Sequence, residues 1–260
     1  MKYKLLFVFW LIPIAIISLS SCKLEDETWT RIEETAVLKI GLDPTYPPFE
    51  VADESGLYGL DIDLANALAA ELGLQTEFVL FGYDGLYDAL ATHQVDLLIS
   101  ALVIAPERTR DFAYTEPYFN AGQILVVPTG NDDIEEMAHL NGRYLAVELG
   151  AQGHVEATIW ERKLADLTIL PFGSADEALT AVADNSAAAA LIDAISGRLF
   201  IAAHPELKWV ETVVSIEPFA IAVRIEDEQL LEKLNQSLVH LQKNGSLAQI
   251  IDQWIDQPQN

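Results

Sequence analysis

The chain has 260 residues, 51% of them hydrophobic, which is enough for one large α/β domain or for two smaller lobes with their own cores. Forty acidic residues face fifteen basic ones, a formal charge of −25; such a surface repels phosphates, so no nucleic-acid partner is expected. A lone cysteine excludes an internal disulfide, and the scattered histidines form no HxxxH or HxH pair, so neither a metal nor a cofactor is expected.

Lys2 and Lys4 give a basic start, residues 5–19 form an apolar run, and Ser20 and Ser21 are small residues before Cys22. That order is an export signal, and the run is shorter than the ~20 residues of a spanning helix. Leu19-Ser20-Ser21-Cys22 resembles a bacterial lipobox, which implies removal of residues 1–21 and lipid attachment at Cys22. The expected location is outside the cytoplasm, anchored to the cell membrane. Residues 22–35 are polar and acidic without sustained periodicity, and read as a tether.

Strand and helix signals then alternate. Residues 37–42 read as a strand. Ile62, Leu64, Ala65, Leu68, Ala69 and Leu72 recur at helical spacing, with Asp61 as a candidate N-cap and Gly73 as the stop. Residues 75–80 read as a strand, 85–92 as a helix and 96–100 as a buried strand. Pro106 is placed to open a short helix. After a strand at 123–127 and a polar stretch at 130–133, the pattern restarts. Strands are expected at 144–149, 167–170, 187–192 and 219–223. Helices are expected at 154–164, 176–184, 194–203 and 226–243, with a last one reaching Trp254; Ser174 and Glu177 form a capping-box pattern. This alternation predicts largely parallel sheets flanked by helices, in two lobes divided near residue 120.

Ligands of such sheets sit beyond the carboxyl ends of the strands, so the residues there are the candidates for chemistry. Arg108 follows a strand and a run of small residues whose backbone N–H groups could join it in holding a carboxylate; it could equally pair with Glu107 or Asp111 on the surface. Asp193 ends an apolar strand where a helix begins, and reads either as an N-cap or as a carboxylate aimed at a ligand ammonium. Asp43 ends the first strand. Tyr46, Phe49 and Tyr83 could wall a pocket or fill the core.

Three blocks carry a family resemblance. They are Gly41-Leu42-Asp43-Pro44-Thr45-Tyr46-Pro47-Pro48-Phe49-Glu50, then Gly59-Leu60-Asp61-Ile62-Asp63-Leu64, then residues 96–108 with the following Asp111-Phe112-Ala113-Tyr114-Thr115-Glu116-Pro117-Tyr118. In this order the chain resembles the bacterial extracellular solute-binding proteins of family 3, the polar amino acid type, over about residues 36–256. The resemblance implies a two-lobed, type II periplasmic-binding fold. Lobe one would take 36–118 and 220–260 and lobe two 123–214, with a hinge at 118–122 and 215–219. It implies that Arg108 grips a ligand α-carboxylate, Asp193 holds the α-ammonium, Tyr46 and Tyr83 pack on the side chain, and Asp43 senses a polar side chain. Ala101, Val103, Glu148, Ala151 and Gln152 occupy further ligand-contact positions.

The chain departs from that family at Val103, Ala105 and Ala151, where hydroxyl residues are usual, so the head-group site is thinner. Asp43 with Glu148 hints at a cationic side chain. The resemblance implies a monomeric binder of a small zwitterion, a polar amino acid, that delivers to an ABC permease. Two alternatives share the fold: a cyclohexadienyl or prephenate-type dehydratase, with Glu148 as its acid, and the ligand-binding part of a sensory system.

Overall fold

A computed structural model describes residues 27–257. The expected signal and the lipid-attachment residue Cys22 lie outside the described residues. Two five-stranded sheets organise the chain. The first runs Gln75–Leu80, Val37–Leu42, Leu97–Leu98, Ala222–Arg224, Phe112–Tyr114; the second runs Thr168–Phe172, Tyr144–Glu148, Ala189–Asp193, Gln123–Pro128, Leu207–Trp209. In each sheet three parallel strands are followed by one that runs antiparallel to both its neighbours. Each reversed strand, Gln123–Pro128 or Ala222–Arg224, is the one the chain enters after passing between the lobes.

The passages themselves pair. Phe119–Asn120 and Pro218–Phe219 form a two-stranded antiparallel ribbon. The side-chain amide oxygen of Asn120 accepts from the backbone N–H of Glu217 at 2.7 Å and of Gly122 at 3.2 Å. A Cβ on Gly122 would lie 2.1 Å from the carbonyl oxygen of Ser215, so only glycine lets the two segments approach this closely.

Both faces of each sheet are covered. Leu38, Ile40, Leu64, Leu68, Leu97 and Leu234 belong to one cluster in lobe one, and Leu86, Leu90, Leu98 and Ala222 to another. Val126, Ala190 and Leu179 pack on one face in lobe two, and Leu125, Leu145, Val147 and Leu191 on the other. Successive strand residues point to opposite faces, which is why parallel strands covered twice are apolar throughout. Among the described residues no helix is long and apolar enough to cross a membrane.

Several local expectations change. Residues 27–35 are not a tether: Glu27–Thr35 is a helix with Trp29 and Ile32 buried in the first core. The hydroxyl of Thr28 accepts from the buried guanidinium of Arg224 at 3.0 Å, and Arg31 pairs with Asp96 at 2.5 Å. The short acidic helix has too few apolar residues to announce itself, and long-range partners hold it. Asp61 does not cap helix Leu60–Leu72; Gly59 occupies the cap, and the Asp61 side chain is fully buried. Gly73 does end that helix in the left-handed conformation, at φ 70°. Pro106–Arg108 is a single 3₁₀ turn and not the start of a longer helix. The hairpin Glu50–Asp53 with Gly56–Tyr58 was hidden by its short, mostly polar strands.

Candidate functional site

The cleft is built from strand ends. Asp43 follows Val37–Leu42, Tyr83 follows Gln75–Leu80, and Ala101 and Val103 follow Leu97–Leu98. In lobe two, Glu148 and Asp193 end their strands, and Ala151 and Gln152 open helix Gln152–Glu161. Three adjoining cavities result. One of about 390 Å³ is lined by Tyr83, Tyr87, Val103 and Arg108. The next, about 360 Å³, shares Tyr83 and Val103 with it and adds Asp43, Tyr46, Glu50, Ser100, Ala101 and Glu217. The third, about 210 Å³, shares Glu217 with the second and is lined by Gln123, Glu148, Ala151, Gln152 and Asp193. All ten positions singled out for ligand contact therefore lie along one continuous groove spanning both lobes.

Arg108 is exposed and stacks on Tyr87, its guanidinium carbon 4.1 Å from the ring centroid. Among the described residues it has no ion-pair partner, so the alternative of a surface pairing with Glu107 or Asp111 does not form. The aromatic face holds the planar cation without consuming its hydrogen-bond donors. The backbone donors expected beside it are fewer than anticipated. The N–H of Ala101 is taken by Asp61 at 2.7 Å, and that of Ile104 by the carbonyl of Pro218 at 3.2 Å.

Asp193 combines both of its readings. Its Oδ1 accepts from the N–H of Ser196 at 2.8 Å, capping helix Ala194–Ala203, while the residue lines the third cavity. The cap fixes the carboxylate at the cleft edge. Asp43 is also tied internally: Oδ1 accepts from the Thr45 hydroxyl and Oδ2 from the N–H of Tyr83, each at 2.8 Å. Tyr46 and Tyr83 stand 46% and 57% exposed as open walls, whereas Phe49 is fully buried beneath them against Phe119 and Phe219. Phe49 is thus core and not pocket.

The groove is acidic. Arg108 is the lone cation among its lining residues, against Asp43, Glu50, Asp84, Glu107, Glu148, Asp193 and Glu217. Burial pushes the Tyr46 hydroxyl above its usual range, and the charges of Asp193 and Glu217 push it further. Glu217 was missed in the sequence because it sits in the second crossing segment, where the expected role was mechanical. Its one available signal was an acidic residue immediately before Pro218. Gly153 shows how tightly the helix start approaches the strand end: a Cβ there would lie 2.4 Å from the carbonyl oxygen of Leu191.

Comparison with known proteins fits this architecture. The family model of bacterial extracellular solute-binding proteins, family 3, matches residues 38–257. The chain belongs to that family. It is 29% identical over 254 residues to a probable amino-acid ABC transporter-binding protein of Haemophilus influenzae, covering 96% of each chain. It is 28% identical over 228 residues to an L-arginine-binding protein of Pseudomonas aeruginosa, covering 84% of this chain and 87% of that one. The unliganded, open L-cystine solute receptor of Neisseria gonorrhoeae superposes with a TM-score of 0.77 at 23% identity, over 88% of this chain and 97% of the receptor. The fold of this family-3 protein is thus the two-lobed type II periplasmic-binding architecture.

Proposed function

We propose that this protein captures a polar amino acid in the groove and delivers it to an ABC permease, with a cationic side chain preferred. The observation that carries the reading is the charge layout. One unpaired guanidinium, Arg108, projects from lobe one, and a capped carboxylate, Asp193, ends a strand of lobe two. An α-carboxylate suits the first and an α-ammonium the second, by charge-assisted hydrogen bonds worth about 1.5–3 kcal/mol each. Further carboxylates, Asp43, Glu148 and Glu217 among them, leave the groove with excess negative charge that a guanidinium or second ammonium on the ligand neutralises. Relatives named for amino-acid or arginine binding support the same class.

Because the two charges sit on opposite lobes, both ends of the ligand are satisfied only when the lobes approach. The paired segments at Phe119–Asn120 and Pro218–Phe219 serve as the hinge of that motion. Binding, and not catalysis, is the task. Lipid at Cys22 would keep the monomeric binder on the outer side of the cell membrane, beside its permease.

A thermal-shift screen of the twenty amino acids, polyamines and dicarboxylates tests the reading. L-arginine or L-lysine should raise the melting temperature most, by mass action on the folded state. A shift given only by dicarboxylates would overturn it. Incubation with prephenate should yield no phenylpyruvate.

A further inference from the structure

We propose that Glu50 and Asp61 form a buried carboxyl pair sharing one proton, and that this pair positions the lobe-one wall of the groove. Both side chains are almost wholly inaccessible, at 1% and 0% exposure. Glu50 Oε1 accepts from the Ser100 hydroxyl at 2.7 Å. Ser100 Oγ in turn accepts from the N–H of Asp43 at 3.0 Å, and Asp43 holds the N–H of Tyr83 at 2.8 Å. Asp61 Oδ2 accepts from the N–H of Ala101 at 2.7 Å. Ala101 has φ +45°, a left-handed conformation that costs a residue with a Cβ, so a strong acceptor must hold it there. Asp43, Tyr83, Ser100 and Ala101, four lining residues of the groove, thus hang from these two acids.

The proton follows from what is left over. Glu50 Oε2, Asp61 Oδ1 and the Tyr118 hydroxyl are three buried polar atoms to which no group outside the trio supplies a hydrogen-bond partner. The groups that face the pair are Ser100 and Ala101 from the strand end, Asp43 from the first strand, Tyr118 from the crossing segment and Tyr46 from the hairpin; none is a cation. Two adjacent buried carboxylates without a counter-ion are strongly disfavoured. A proton on Glu50 donated to Asp61, together with the Tyr118 hydroxyl donated to Asp61, satisfies all three atoms at once. Burial and then the charge of Asp61 push the Glu50 carboxyl up to about 10. Burial pushes Asp61 up only to about 6, because hydrogen bonds from Ala101, Tyr118 and Glu50 stabilise its charge. Between those values the pair as a unit holds a single proton.

The sign is definite. A carboxyl whose folded pKa lies above its unfolded one favours the fold at low pH and loses that contribution steadily as pH rises towards about 10. In Glu50→Gln the amide N–H replaces the shared proton and the amide oxygen still accepts from Ser100, and position 50 itself no longer titrates. The melting temperature of E50Q minus that of wild type should therefore widen from pH 5 to pH 9, in the absence of any ligand. A margin that is flat or shrinks with pH would overturn the shared proton. For positioning, hydrogen exchange in residues 81–87 and 97–108 should match wild type in E50Q and rise in Glu50→Leu, which keeps bulk and loses both bonds. Unchanged exchange in E50L would overturn the positioning role. An affinity arm rests on the proposed function: L-arginine binding should weaken tenfold or more in E50L, by the scale of a charge-assisted bond. Wild type failing to bind L-arginine would count against the ligand class, while the melting and exchange results still decide the pair.

Discussion

The guanidinium of Arg198 clasps the carboxylate of Asp256 in a two-bond fork, Nε to Oδ1 at 2.8 Å and Nη2 to Oδ2 at 2.5 Å. Arg198 belongs to helix Ala194–Ala203 of lobe two. Asp256 ends the turn Asp252–Asp256, whose Ile255 is buried in the core of lobe one. The fork therefore ties the lobes together directly, beside Phe119 of the crossing ribbon, whose ring centroid lies 5.5 Å from the guanidinium carbon. Arg198→Ala should lower unfolding free energy by about 1.5–3 kcal/mol, the value of hydrogen bonds to a charged partner. Small-angle scattering of the ligand-free variant should show a larger radius of gyration. An unchanged radius would mean that the fork is not what limits lobe separation.

Arg108→Ala should weaken ligand binding by about 2 kcal/mol or more, since a bound carboxylate would lose its charge-assisted donors. Arg108→Lys should restore little, because an ammonium has neither the planar fork nor the stacking on Tyr87. Calorimetry of both variants separates these outcomes, and wild-type affinity in R108A would remove the assigned clamp.

Ile32→Ala should destabilise the protein by about 2–5 kcal/mol, as expected for emptying a fully buried aliphatic site. Urea denaturation reads the change. A shift below about 0.5 kcal/mol, the size of ordinary surface substitutions, would restore the tether reading of residues 27–35.

Gly122→Ala should cost about 1–3 kcal/mol or more, because the new Cβ meets the Ser215 carbonyl and must push the crossing segments apart. Domain closure reported by small-angle scattering with and without ligand should be impaired as well. Normal closure in a folded variant would show that the ribbon tolerates the spreading.

If Cys22 carries the lipid proposed for it, Cys22→Ser should move the protein from the membrane fraction to the soluble extracytoplasmic fraction. Continued sedimentation with membranes would argue against the lipid anchor.

Much of this was legible along the chain. Apolar runs with strand spacing and helical periodicity marked the parallel strands and long helices, because those elements bury a regular face. Asp43, Tyr46, Tyr83, Arg108 and Asp193 were reachable because ligand residues of such sheets follow strand ends, whereas Ala101, Val103, Glu148, Ala151 and Gln152 came only with the family resemblance. Less legible were the segments whose partners are distant in sequence. Helix Glu27–Thr35 depends on Arg224 and Asp96, and the ribbon depends on Asn120 meeting Glu217. Asp61 looked like a cap because local spacing cannot show that a carboxylate turns inward to meet Ala101, forty residues away.

By itself, the order of residues determined the fold class, the family blocks and the strand ends that line the groove, since each is written in local pattern. Only the tertiary structure decided which charges stay paired. Among the described residues Arg108 is left with Tyr87 alone, Asp193 both caps and faces the cleft, Glu217 joins the groove, and Glu50 is buried against Asp61. Electrostatic fate depends on burial and on neighbours brought together by packing, and neither is encoded at the site of the residue itself.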